Sequence, residues 1–106
     1  MNVKDVTPEQ IAEWKGKLKV VKKITVPTLG GGKAEFIIGR PTREILDAYG
    51  FQLDKDNQKK AREILQNNCI LAGDISLFAD DVNIENTVMN KVTGLLEKLE
   101  VEEEEL

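Results

Sequence analysis

The chain has 106 residues, 41% of them apolar and 32% charged, which excludes a disordered composition. The length provides for one core, which removes roughly 60–70% of the unfolded surface from water. The net charge is −4 and the pI near 4.9, but residues 1–40 carry eight Lys or Arg against four Asp or Glu, while residues 41–106 carry seven against fifteen. The two regions therefore suit differently charged partners.

The first ten residues, Met-Asn-Val-Lys-Asp-Val-Thr-Pro-Glu-Gln, lack the apolar stretch of a secretory signal. With a single cysteine, Cys69, the expected setting is the reducing cytoplasm, and no apolar run approaches the ~20 residues that a membrane helix needs. Within this stretch Thr7 is placed to cap a helix, Pro8 is preset for its first position and Gln10 completes a capping box. Val6 and Ile11 form a hydrophobic staple, and Ile11, Trp14 and Leu18 supply the buried stripe. This helix is predicted to end near Gly16 or Leu18.

From Lys19 to Val26 the pattern changes to period two, with Val20, Ile24 and Val26 on one face and Lys19, Val21, Lys23 and Thr25 on the other. Lys22 interrupts the apolar face. The turn formers Pro27 to Lys33 separate this strand from a second, in which Ala34, Phe36 and Ile38 alternate with Glu35 and Ile37. The two are predicted to form an antiparallel hairpin.

After Pro41 the pattern becomes helical, with Thr42 as cap, Ile45, Leu46 and Tyr49 as the buried side and Gly50 as the stop. A further helix is predicted from about Asp54–Asn57 to Cys69 or Leu71, with Ala61, Ile64, Leu65 and Cys69 on one face and Gly73 beyond its end. Residues 74–80 are read as a connector. A last helix, capped by Asp81 or Asn83, carries Val88, Val92, Leu95, Leu96 and Leu99 at helical spacing. The predicted architecture is α+β: an N-terminal helix, a two-stranded hairpin and about three helices packed on it, as one domain over residues 1–100. The acidic tail 101–106, Val-Glu-Glu-Glu-Glu-Leu, is predicted to be solvated.

The candidate chemistry narrows quickly. The chain contains no histidine, which excludes Ser-His and Cys-His pairs and His-metal sites. One cysteine, Cys69, cannot form an intrachain disulfide, and with no adjacent base it reads as core. Gly30-Gly31-Gly32-Lys33 fails as a phosphate loop, since Pro27 stands where glycine is needed, Ala34 where Ser or Thr is needed, and a strand follows in place of a helix. Asp54-Lys55-Asp56-Asn57 fails as a calcium loop, with Lys59 at the glycine position and Leu65 at the glutamate position. Asp80 and Asp81 read as helix caps, not as an acid/base pair.

The cluster Lys15, Lys17, Lys19, Lys22 and Lys23 is the one basic patch. In an acidic chain with no aromatic between Trp14 and Phe36, it reads as a solvated strand face open to an acidic protein, and no nucleic-acid partner is expected. Leu99, Val101 and Leu106, where the last helix gives way to the tail, form a second candidate docking segment. The partner-binding candidates are thus Leu99, Val101, Leu106, Lys19, Lys22 and Lys23. No catalytic, cofactor-binding or metal-ligating residue is expected, nor is a membrane contact, and self-association is left open.

Four strings carry a resemblance along nearly the whole chain: Val6-Thr7-Pro8-Glu9-Gln10-Ile11 followed by Trp14-Lys15, the lysine-rich strand, Gly39-Arg40-Pro41-Thr42-Arg43-Glu44, and Asn67-Asn68-Cys69-Ile70-Leu71-Ala72-Gly73-Asp74. Together they resemble the small tail assembly chaperones of long-tailed bacteriophages and prophages. The resemblance implies a non-enzymatic protein of the host bacterial cytoplasm that binds tape-measure or tail-tube protein during assembly and is absent from the finished particle. Some members of that family are also made in a frameshifted, longer form. The alternative reading is an adaptor or regulatory protein-binding module of a mobile element, using the lysine-bearing hairpin.

Overall fold

A computed structural model describes residues 1–96 and 101–106. Its elements run α1 (Pro8–Leu18), β1 (Val21–Pro27), β2 (Lys33–Gly39), α2 (Arg43–Asp54), α3 (Gln58–Cys69), β3 (Ile70–Ala72), α4 (Leu77–Asp80) and α5 (Val82–Gly94). A short 3-10 turn, Val3–Asp5, precedes them. The fold is α+β, with an N-terminal helix, an antiparallel β1–β2 hairpin and helices packed on it.

Local chemistry sets the start of α1. The Thr7 hydroxyl accepts from the Gln10 N–H at 3.2 Å while the Gln10 side chain accepts from the Thr7 N–H at 2.9 Å, so two N–H groups that the helix cannot satisfy find partners. The helix ends at Leu18. Lys19 follows in the left-handed region at φ 71°, its N–H donating to the Lys15 carbonyl. Lys19 is therefore a helix cap and not the first residue of the strand, which begins at Val21.

The sheet has three antiparallel strands in the order β1-β2-β3, one more than the pattern of alternation predicts. The third, Ile70–Ala72, continues directly from the end of α3 and pairs Ile37 with Ala72 and Ile38 with Ile70. It covers the far side of β2, the central strand, whose N–H and C=O groups there are shielded from water and need partners.

The two faces of the sheet are covered by different helices. Phe36 and Ile38 of β2 and Val26 of β1 pack with Leu65 and Cys69 of α3, Phe78 of α4 and Ile84, Val88 and Val92 of α5, forming the main core. Phe36, Ile38, Cys69, Val88 and Val92 are fully buried there, each large apolar side chain contributing about 1.5–3 kcal/mol. On the opposite face, Gly39 makes room for the Leu18 side chain of α1, since a Cβ at Gly39 would collide with it. Ile37 shares that face, with Ile11 of α1 beside it.

Three further expectations are corrected. Gly50 does not stop its helix: α2 continues to Asp54, and the left-handed residue that turns the chain is Asp56 at φ 59°. A glycine without side-chain obligations can stay helical when neighbouring turns pack, and α2 lies along α3 as an antiparallel pair joined by Lys55–Asn57. The connector contains α4, whose Phe78 reaches the core beside Phe36 with ring centroids 5.7 Å apart. Finally, α5 closes at Gly94, with Leu95 and Leu96 in a tightened turn donating to Val92 and Thr93. Leu99 lies outside the described residues.

Candidate functional site

Among the described residues no three His, Cys, Asp or Glu side chains gather in a metal-holding group. Cys69 is fully buried at the end of α3, and desolvation pushes its thiol up to about 11. It therefore stays protonated at neutral pH and packs as a small apolar side chain. The Gly30–Lys33 segment forms the tip of the β1–β2 hairpin, with Lys33 opening β2 and the Thr28 N–H donating to the Gly32 carbonyl. No helix follows whose N-terminus could receive a phosphate.

The described surface carries a groove where three helices meet. Tyr49 and Leu53 from α2, Leu65 from α3 and Met89 from α5 form its apolar floor, enclosing about 380 Å³. Its rim is polar. Arg62 of α3 and Glu85 of α5 bridge it with an ion pair of 3.3 Å, and Asn86 and Asn90 line the α5 side. The Glu85 side chain is 16% exposed while that of Arg62 is 55% exposed, so the carboxylate is lodged between the helices and the guanidinium lies over it.

The groove follows from how each helix is built. On α3 and α5 its residues Arg62, Glu85 and Met89 each stand one position beyond a buried one, Ala61, Ile84 and Val88. Leu53 is 41% exposed at the groove, and Phe51, two positions before it, is 56% exposed with the Lys55 ammonium 4.5 Å from its ring centroid. The last turn of α2 thus presents apolar surface that the described residues leave exposed.

A second groove lies beneath α1. Val3, Val6, Ile11, Val21 and Ile37 line it, and Lys15, Lys22 and Lys23 border it. This brings Lys22 and Lys23 to one edge of the sheet, both exposed, with Lys23 3.7 Å from Glu35 on β2. Lys19 sits apart at the α1 cap, its ammonium donating to the Gly16 carbonyl. Val101 and Leu106 are exposed in segment 101–106, where every residue faces solvent. Periodicity alone did not show the α2–α3–α5 groove, because its floor comes from residues 49, 53, 65 and 89. The one sequence signal for it was the run of apolar helical faces after Pro41.

No family model, curated protein or solved structure matches the chain.

Proposed function

We propose that the protein is a non-enzymatic assembly chaperone of the phage-tail type, acting in the bacterial cytoplasm and holding a helical segment of tape-measure or tail-tube protein in the α2–α3–α5 groove. The observation that carries this reading is the groove itself, an apolar floor of Tyr49, Leu53, Leu65 and Met89 inside a polar rim. An amphipathic helix docks by placing side chains spaced three and four residues apart into such a channel. The resemblance of the four sequence strings to tail assembly chaperones supplies the class of partner.

The size of the groove suits the role. The ten residues that line it are fewer than the ~20–30 a side of a standard stable interface, which suits weak, reversible binding. A chaperone that must release its client before the tail is complete needs such an affinity. Met89 adapts its shape to different clients more readily than a branched side chain would.

An adaptor working through the lysine edge is the second reading, favoured by the exposure of Lys22 and Lys23 on β1. Co-expression with proteins encoded beside this chain, followed by affinity capture at two salt concentrations, separates the two. Capture of a long helical tape-measure protein or a tube subunit that persists at high salt supports the groove. Retention of an acidic regulator, lost at high salt, supports the adaptor.

A further inference from the structure

The sheet order β1-β2-β3 leaves β1 at an edge, and its hydrogen-bonding register identifies which groups face outward. The Arg40 N–H donates to the Val20 carbonyl at 2.9 Å, and the Thr28 N–H donates to the Gly32 carbonyl at 2.9 Å, marking Val20/Arg40 and Thr28/Gly32 as hydrogen-bonded pairs. In an antiparallel ladder such pairs alternate with non-bonded ones. Given the register, Lys22/Ile38, Ile24/Phe36 and Val26/Ala34 bond inward. The N–H and C=O groups of Val21, Lys23 and Thr25 therefore point away from the sheet, and no described strand pairs with them. Pro27, which has no N–H, ends this free edge.

Lysines flank the edge on both faces. Lys23 lies on the α1 face, in line with Ile37, while Lys22 lies on the opposite face, in line with Ile38. Both are exposed. The groove beneath α1, with Val6, Ile11 and Val21 in it, runs along the same edge.

Segment 101–106 of the same chain is Val-Glu-Glu-Glu-Glu-Leu, exposed throughout, with Val101 at 74%. In an extended strand four consecutive glutamates place two carboxylates on each face. That distribution matches an edge with a lysine on each face. The six residues extend ~20 Å, the length of a strand like β1.

We infer that the acidic segment 101–106 of a second copy of this chain adds as a strand to the free edge of β1, pairing with Val21, Lys23 and Thr25 and placing its glutamates against Lys22 and Lys23. The donor and acceptor surfaces differ, so the contact is head-to-tail and extends to further copies unless the ring closes. Unpaired backbone groups supply the affinity and the charges set the choice of segment.

Sedimentation equilibrium of the full chain over a concentration series, at low and high salt, tests this. The intact protein is expected to associate at low salt, with association weakened at least tenfold at high salt. Deletion of residues 101–106, or the double substitution Lys22→Glu with Lys23→Glu, is expected to leave a monomer. Mixing those two variants restores a one-to-one complex, since one keeps the lysine edge and the other the acidic segment. Amide exchange at Val21, Lys23 and Thr25 slows in that complex. An intact chain that stays monomeric at every concentration overturns the inference, as does a mixture that forms no complex. A complex that leaves those three amides unprotected overturns the added strand.

Discussion

Gly73 lies against the ring of Phe36 so closely that a single methyl group on its Cα would overlap the ring, and it would stand 2.9 Å from the Glu35 carbonyl oxygen. Its backbone adopts φ 123°, and its N–H donates to the Met1 carbonyl at 2.8 Å. The end of β3 is thereby held against the fully buried centre of β2, where the Phe78 ring also packs, its centroid 5.7 Å from that of Phe36. A position that reads in sequence as a helix stop is in fact a site of close backbone approach.

Gly73→Ala is accordingly expected to cost about 2 kcal/mol or more, combining left-handed strain with overpacking of the Phe36 ring. Gly50→Ala is expected to have the opposite sign. Gly50 lies within α2 with nothing near its added Cβ, so the change is expected to stabilise by about 0.5–1 kcal/mol. Urea unfolding of the two variants beside the parent checks both signs at once.

The capping box of α1 gives a smaller effect. Thr7→Ala removes the acceptor of the Gln10 N–H and is expected to cost about 1 kcal/mol, while Thr7→Ser keeps most of it. Thermal melting resolves the difference, since about 1 kcal/mol moves the midpoint of a domain this size by roughly 4 °C.

Cys69 is expected to resist alkylation in the folded protein at pH 7 and to react fully once unfolded. Because burial raises its thiol from 9.0 to about 11, the folded state holds its proton more tightly than the unfolded chain does. The resulting stability is complete below pH 9 and declines as pH rises toward 11. Urea titrations at pH 8 and pH 10.5, comparing the parent with Cys69→Ala, isolate this contribution: the stability difference between them narrows at the higher pH.

Much of the fold was legible because its signals are local. Val6 to Gln10 encode a helix start through hydrogen bonds spanning three residues, and Gly30–Gly32 between two alternating segments encode a hairpin. β3 was not legible, since Ile70–Ala72 is too short to show alternation and forms only because β2 needs a partner. Phe78 likewise reads as a connector residue until Phe36 lies beside it. Among the candidate binding residues, Lys22 and Lys23 were legible as an exposed strand face, whereas Lys19 was assigned to the strand and caps α1 instead. The groove was legible only as apolar helical faces, because periodicity within one helix shows which side is apolar but not which residues of other helices meet beside it.

The central claim is that the α2–α3–α5 groove holds the client. Leu53 tests it with little risk to folding, being partly exposed at the last turn of α2. Affinity capture of the co-expressed tape-measure or tail-tube protein by the parent and by Leu53→Glu, with thermal melts confirming equal folding, is the most direct measurement. A tenfold or greater loss of capture, equivalent to about 1.4 kcal/mol, is the expected result. Capture by Leu53→Glu equal to that of the parent would contradict the groove as the binding site.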